Sequence, residues 1–393
     1  MSPLTLHVLS RRALPALFLL VAATSTLCAS ATFYGVGQLP GGAVNGEIRD
    51  AAVTSTGILA TGNAQQNPGA AFSDTAVIWT PAAGLQTLAS LNNIPVPPGG
   101  RLVTGSQIAA GNHAIAARIS TDATGRAILP ALYNQGGPLT AVLGMPSGLV
   151  FGAANSVSSN GQTVYGFGVD ESGNYQSFRW TVSEGAVPLP AISGYAAILA
   201  TPRGCSDNVA IDIGAASTAS GMTFGPGSAA YEYSTSSGMS VLPVAPGGTW
   251  AGASGIDPTG TYVVGCGDTP TNPNGEILLW TSGAVSTLGV PAAESATGMA
   301  PNFAGVTRNG VVVVVAGALG SYIHNSYGWF DLQQALVAGG ADLSGWNSLN
   351  VLGTNGEGTL VFGSGAHGGG TEGFVAQVSA GYLDNFGKPK KKG

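Results

Sequence analysis

One phrase returns along this chain at a nearly constant interval, and that interval limits the fold more than any other property of the sequence. An apolar or small residue precedes a turn rich in Gly, Asn, Asp and Ser at Val53, Ile108, Val157, Cys205, Ile256, Val306 and Thr354, with successive spacings of 55, 49, 48, 51, 50 and 48. The clearest copy runs Ser156-Val157-Ser158-Ser159-Asn160-Gly161-Gln162-Thr163-Val164-Tyr165-Gly166, then Ser177-Phe178-Arg179-Trp180-Thr181, then Gly185 to Leu189. Asn160-Gly161 predicts a tight hairpin, because both central residues of that turn need positive φ. It separates strands a and b, the Phe/Trp run supplies strand c, and the stretch ending at Leu189 supplies strand d. The strand c aromatic recurs as Trp79, Tyr133, Trp180, Tyr233, Trp280 and Phe330, while strand d closes on Leu88, Leu143, Leu189, Leu242 and Leu288.

Short strands in a long period cannot each bury two faces alone; they must stack on their neighbours. Seven such units fill a ring, so the expected fold is all-β: a seven-bladed β-propeller with four-stranded blades. Two β-sandwiches are the alternative, and the even spacing argues against them. Residues 32–39 read as a strand d, whereas the last unit stops after a strand c at residues 373–378. The N-terminal strand is therefore expected to complete the last blade and cover an otherwise open edge. A hydrophobic fraction of 44% is enough for a core despite 62 Gly and 23 Pro.

Arg11 and Arg12 precede an apolar run too short to span a bilayer, and Ala29-Ser30-Ala31 has small residues where a signal peptidase reads them. Residues 1–31 are thus read as a signal peptide, 32–383 as the propeller and 384–393 as a basic, solvated tail. The expected product is exported, periplasmic or extracellular, monomeric and without a transmembrane segment. Between Glu47 and Asp384 lie all 19 acidic residues, seven arginines and no lysine, a balance of −12. Such a body cannot readily neutralise phosphates, so nucleic acid is excluded as a partner.

The order of motifs resembles the HAF-type bacterial extracellular repeat. Matching pieces are Gln38-Leu39-Pro40-Gly41-Gly42, Tyr262-Val263-Val264-Gly265, Ala76-Val77-Ile78-Trp79-Thr80, Ser177-Phe178-Arg179-Trp180-Thr181 and Gly373-Phe374-Val375-Ala376. The resemblance implies a secreted, propeller-like repeat protein and carries over no functional residue. The family's namesake histidine is missing, with Thr75, Gln176 and Glu372 near its places.

No zinc spacing, phosphate loop or nucleophile elbow occurs, and no cofactor or metal is expected. The repeat alignment puts His113 in a strand b and His324 and His367 in separate loops, and sets Cys205 and Cys266 too far apart for a disulfide. Tight a–b and c–d turns leave the longer b–c and d–a connections as the expected recognition face. That face is expected to carry Arg101, Asp170, Tyr175, Trp250, Asp268, Asn274, Phe303, Tyr322, His324 and Trp346, a mixture suited to stacking on sugar rings. The leading functional reading is a non-enzymatic binding or scaffold module for an extracellular glycan or protein. The alternatives are a carbohydrate-active enzyme using Asp170, Asp268 and Glu276 as acid and base, and a purely structural surface component.

Overall fold

The computed structural model describes residues 30–66, 74–88, 101–109, 111, 113–120, 128–133, 139–205, 211–218, 225–295 and 304–389. Seven separate four-stranded antiparallel sheets make a seven-bladed β-propeller. The inner strands, a, are Gly46–Thr54, Arg101–Ile108, Leu149–Val157, Ala197–Cys205, Ala251–Ile256, Ala304–Val306 and Trp346–Thr354. Each packs against the inner strand of the next blade, and the seventh returns to the first. The core is accordingly divided into clusters shared between neighbouring blades. One joins Leu59 and Ile78 of the first blade to Ile115 and Tyr133 of the second.

The closing blade is built as expected. Ala31–Gly35 pairs antiparallel with Gly370–Val378, with Thr32 opposite Gln377 and Gly35 opposite Phe374. The strand begins one residue before the expected start, with Ala31 buried and its N–H donating to Gly339 O at 2.9 Å. Phe33 lies on Phe374, ring centroids 5.3 Å apart, which ties the chain's opening to its final strand.

Polar side chains stitch the blades where apolar packing alone would let them slide. Ser177 Oγ donates to Ile198 O at 3.0 Å and accepts from Ala200 N–H at 2.7 Å, joining the third blade to the fourth. Ser321 repeats this bracket from the sixth blade to the seventh, with Leu349 O at 2.8 Å and Val351 N–H at 2.7 Å. Trp280 Nε1 donates back to Pro243 O at 2.7 Å, and Trp329 Nε1 to Leu288 O at 2.8 Å.

Several expectations need correction. Ile108 N–H donates to Asp50 Oδ2 and Val157 N–H donates to Gln107 Oε1, both at 2.8 Å, so Asp50 and Gln107 are equivalent. The residue matching Ile108 and Val157 is then Ala51, 2% exposed, whereas Val53 is 55% exposed; the first hairpin runs two residues longer than supposed. Phe330 belongs to strand d, Gly328–Asp331, because the sixth blade has short strands b and c, Val313–Ala316 and Ser321–Asn325. Its b–c connection is a tight turn closed by Gly317 N–H to Gly320 O at 2.8 Å, so Tyr322 and His324 lie in a strand. His113 is outside a strand, in the turn before Ile115–Ser120, and His367 ends strand Leu360–His367. Cys266 is a free, buried thiol, and burial pushes its pKa up to about 12.

Among the described residues two short α-helices and a 3-10 turn at Ala292–Glu294 were not anticipated. Asp331 caps helix Leu332–Ala338 by accepting from Gln334 N–H at 2.8 Å, and Leu332, Ala335 and Leu336 face the core. The segment read as a solvated tail is partly held: helix Tyr382–Asn385 runs into it, Phe386 O accepts from Asn325 Nδ2 at 2.9 Å, and Phe386 meets Phe330 edge-on at 5.2 Å.

Removing residues 31–35 exposes the edge of Gly370–Val378 and opens the ring. This deletion is expected to lower the melting temperature by roughly 5–10 °C, at about 2 °C or more per kcal/mol lost, while removal of residues 389–393 leaves it nearly unchanged. Differential scanning fluorimetry on the two truncations checks this, and equal melting contradicts it.

Candidate functional site

The inner strands run from the d–a face to the a–b face, so the a–b turns surround one mouth of the central channel. These turns share a construction. Ser158, Asp257, Thr307 and Asn355 are each followed three residues later by a glycine with φ between 64° and 77°: Gly161, Gly260, Gly310 and Gly358. In each, the first residue's N–H donates to the carbonyl five residues on, as from Asp257 to Tyr262 O at 2.9 Å. Its side-chain oxygen accepts from the far side of the turn: Asn355 Oδ1 from Thr359 and Leu360 N–H, both at 2.9 Å. The turn is therefore a side-chain-closed loop with one left-handed glycine, not the two-residue Asn-Gly hairpin expected at Asn160-Gly161, where only Gly161 has positive φ.

Inside this rim is a cavity of about 510 Å³ lined from five blades. Asp50 and Val53 come from the first, Gln107 and Ile108 from the second, Ile256 and Pro258 from the fifth, Val306 and Arg308 from the sixth, and Asn355 and Glu357 from the seventh. Arg308 Nε and Glu357 Oε1 form an exposed ion pair at 3.0 Å, and Arg308 N–H donates to Gly356 O at 2.7 Å, linking two turns. Gly356 is required by close approach, since a Cβ there would lie 2.3 Å from Pro258 Cγ. The mouth thus combines apolar side chains, amide oxygens and a balanced ion pair, and its shape comes from turns held by their own hydrogen bonds. None of the residues expected to bind ligand whose side chains are described lines it.

Those ten are dispersed. Phe303 and the side chain of Arg101 lie outside the described residues. Asp170 and Tyr175 flank a b–c hairpin in the third blade, Tyr175 against Phe167 with ring centroids 5.6 Å apart. Asn274 is exposed in the fifth blade's b–c connection, and Trp250 is buried just before the same blade's inner strand. Tyr322 is buried, and His324 stands at the opposite, c–d end of its strand, against Trp329 at 4.8 Å. Trp346 stacks on His367 at 4.8 Å with rings only 5° from parallel. The structure joins Trp250 to Asp268 through a hydrogen bond and places Tyr322 and His324 in one strand; among the described residues no contact draws the set into one cluster.

The carboxylates on the long-loop face hold loops. Asp268 Oδ1 accepts from Thr249 N–H at 2.6 Å and Trp250 N–H at 2.8 Å, and Oδ2 accepts from Thr249 Oγ1 at 2.7 Å. Glu372 Oε1 accepts from Gly37 N–H at 2.8 Å while Oε2 meets His367 Nδ1 at 2.6 Å. Glu294 Oε1 accepts from Leu319 N–H at 2.7 Å. For Asp268 burial is the largest single influence and opposes the charge, but the hydrogen bonds from Thr249 and Trp250 together outweigh it and hold the carboxyl below its ordinary range. Asp170 is also held low, first by Asn174 Nδ2 at 2.9 Å and then by turn N–H groups. A general acid needs the opposite shift. Glu276 is buried at the start of its strand, opposite Gly267, in the same blade as Asp268; Asp170 is two blades away.

No protein-family model and no curated protein matches the chain. Among solved structures it is similar to TolB from Acinetobacter baumannii, with 14% identity over 81% of this chain and 64% of that one and a TM-score of 0.42. A putative TolB from Agrobacterium tumefaciens gives 14%, 58%, 83% and 0.37 on the same measures. A structure from a study of two prolyl endopeptidases gives 8% identity over 86% of this chain and 51% of that chain, with a TM-score of 0.52. The chain therefore spans about half to two thirds of the first and third of these proteins, and the likeness to the third is one of fold.

Asp268→Ala leaves two backbone N–H groups without their acceptor and is expected to cost about 1–3 kcal/mol. Because the folded carboxyl is depressed, its contribution is complete well above the unfolded value of about 3.9 and is lost as pH falls through the lower folded value. Urea titrations should thus separate wild type and variant at pH 7 and bring them together in strong acid; a gap independent of pH contradicts the assignment.

Proposed function

We propose that this chain is an exported binding scaffold of the HAF-type repeat class, docking an extracellular glycan or protein at the a–b mouth of its channel. The observation that carries this reading is the cavity of about 510 Å³ drawn from five blades. It presents apolar surface beside amide groups on turns that are already hydrogen-bonded, a combination suited to recognition without reorganisation. The exposure of Val53 at this mouth fits a surface kept for contact, as a hairpin of ordinary length would have placed an anchor there. Among the described residues no helix is long and apolar enough to cross a membrane, and with the signal-like N-terminus this supports release into the periplasm or beyond.

The hydrolase alternative asks Asp170, Asp268 and Glu276 to converge as acid and base. The first two are stabilised in the charged form by their own loops, and Asp170 stands in a different blade from the others.

A glycan array and an affinity capture with extracellular proteins, run beside a reducing-end assay, test the proposal. Binding without product is expected, and Val53→Arg, which fills the mouth from an exposed position, should weaken it at least about tenfold with an unchanged melting temperature, a loss of about 1.4 kcal/mol. Sugar release abolished by Asp268→Asn or Glu276→Gln would overturn the non-enzymatic reading, and binding indifferent to Val53→Arg would overturn the choice of mouth.

A further inference from the structure

The inner strands carry β-bulges, and three in succession place polar residues at equivalent positions. The bulged residue is Arg49 in the first blade, Ser106 in the second and Asn155 in the third, where the ladder skips between Ile48 and Asp50, Gly105 and Gln107, and Ala154 and Ser156. The matched hydrogen bonds of Asp50 and Gln107 make Arg49 and Ser106 equivalent positions. A fourth residue, Arg118, reaches the third of these from strand b of the second blade: its Nη2 donates to Asn155 Oδ1 at 3.1 Å, and Asn155 Nδ2 donates onward to Ala200 O at 2.7 Å.

This group is incomplete in two places. Arg118 Nε is shut off from water and has no hydrogen-bond partner, and neither has Ser106 Oγ, in a residue 1% exposed. The charges that act on Arg118 are those of Arg49 and Glu47, and Glu47 Oε1 already accepts from Arg49 Nε at 2.6 Å. The neighbouring carboxylate, Asp50, accepts from Ile108 N–H. Burial, then the neighbouring charge of Arg49, brings Arg118 down to about 10, with Glu47 only partly offsetting them. A buried cation beside a like charge, with an unpaired N–H, is costly unless an anion completes it. The pair of cations stands in a body whose balance is −12, and Arg49 and Ser106 directly precede Asp50 and Gln107, which line the cavity.

We propose that Arg49, Ser106, Arg118 and Asn155 form an oxyanion site in the channel that takes a carboxylate, sulfate or phosphate group. Guanidinium N–H donors and the Ser106 hydroxyl bind the anion oxygens, and Asn155 holds Arg118 in place; the planar fork of arginine suits such groups. The proposal does not depend on what docks at the mouth.

Isothermal titration calorimetry of the whole protein with sodium sulfate, sodium phosphate and sodium galacturonate, each at ionic strength matched by chloride, tests it and separates the three chemistries. At least one probe is expected to bind saturably, with affinity reduced at least tenfold in Arg118→Gln and in Arg49→Gln and retained in Arg308→Gln. The anion-free Arg118→Gln protein should melt no lower than wild type, since it sheds an unfavourable charge. If Arg118→Gln does not fold, Arg49→Gln carries the comparison. Absence of saturable binding by all three probes, equal binding in wild type and variants, or an equal rise in melting temperature in all proteins through general salt stabilisation would each overturn the site.

Discussion

Each blade is a small twisted sheet with two apolar faces, and neither can be buried within the blade. That constraint governs the rest of the structure. Stacking around a ring buries both faces of every sheet, provided that the last blade meets the first. Here the meeting point is also the place where the chain begins, because Ala31–Gly35 supplies the outer strand of the seventh sheet. One antiparallel pairing thus covers an open edge and completes the seventh blade.

The ring then gives its two ends different characters. On the a–b side, loops are satisfied internally by Ser, Asp, Thr and Asn side chains and a left-handed glycine, which leaves their apolar and amide surfaces available around the cavity. On the other side, buried carboxylates at Asp268, Glu294 and Glu372 hold the longer connections by accepting backbone N–H groups. Acids that look available for chemistry in the sequence are there committed to structure. Between the two ends, bulges place Arg49, Ser106 and Asn155 at equivalent positions of three successive inner strands, where Arg118 joins the third.

The repeat, the blade number and the N-terminal closure were legible because period and strand patterning are local properties of a chain. The strand c aromatics were legible for the same reason wherever the blade keeps its usual length. They failed at Phe330, where shortened strands shift the motif and Trp329 makes the interblade hydrogen bond from strand d instead. Val53 was misjudged because its apolar character fits the pattern, while the decisive fact, the bond from Ile108 to Asp50, crosses between blades. The helix at Leu332–Ala338 did have a local signal, a capping Asp331 before residues apolar at helical spacing. The cavity and the arginine group had none. Arg49 and Arg118 are 69 positions apart in the sequence, and only the ring brings their charges together.

Closure by the opening strand can be tested by covalent capture. Thr32 and Gln377 are opposed and both exposed, and directly opposed residues in an antiparallel pair sit about 4.5–5.5 Å apart at Cα, within the range of a disulfide. Cysteines placed at these two positions should link quantitatively under mild oxidation, giving a single peptide pair by mass spectrometry that joins the two ends of the chain, with the fold unchanged. Two thiols that remain free, or that pair elsewhere, would show that the first strand does not lie beside the last and that the ring is not closed in this way.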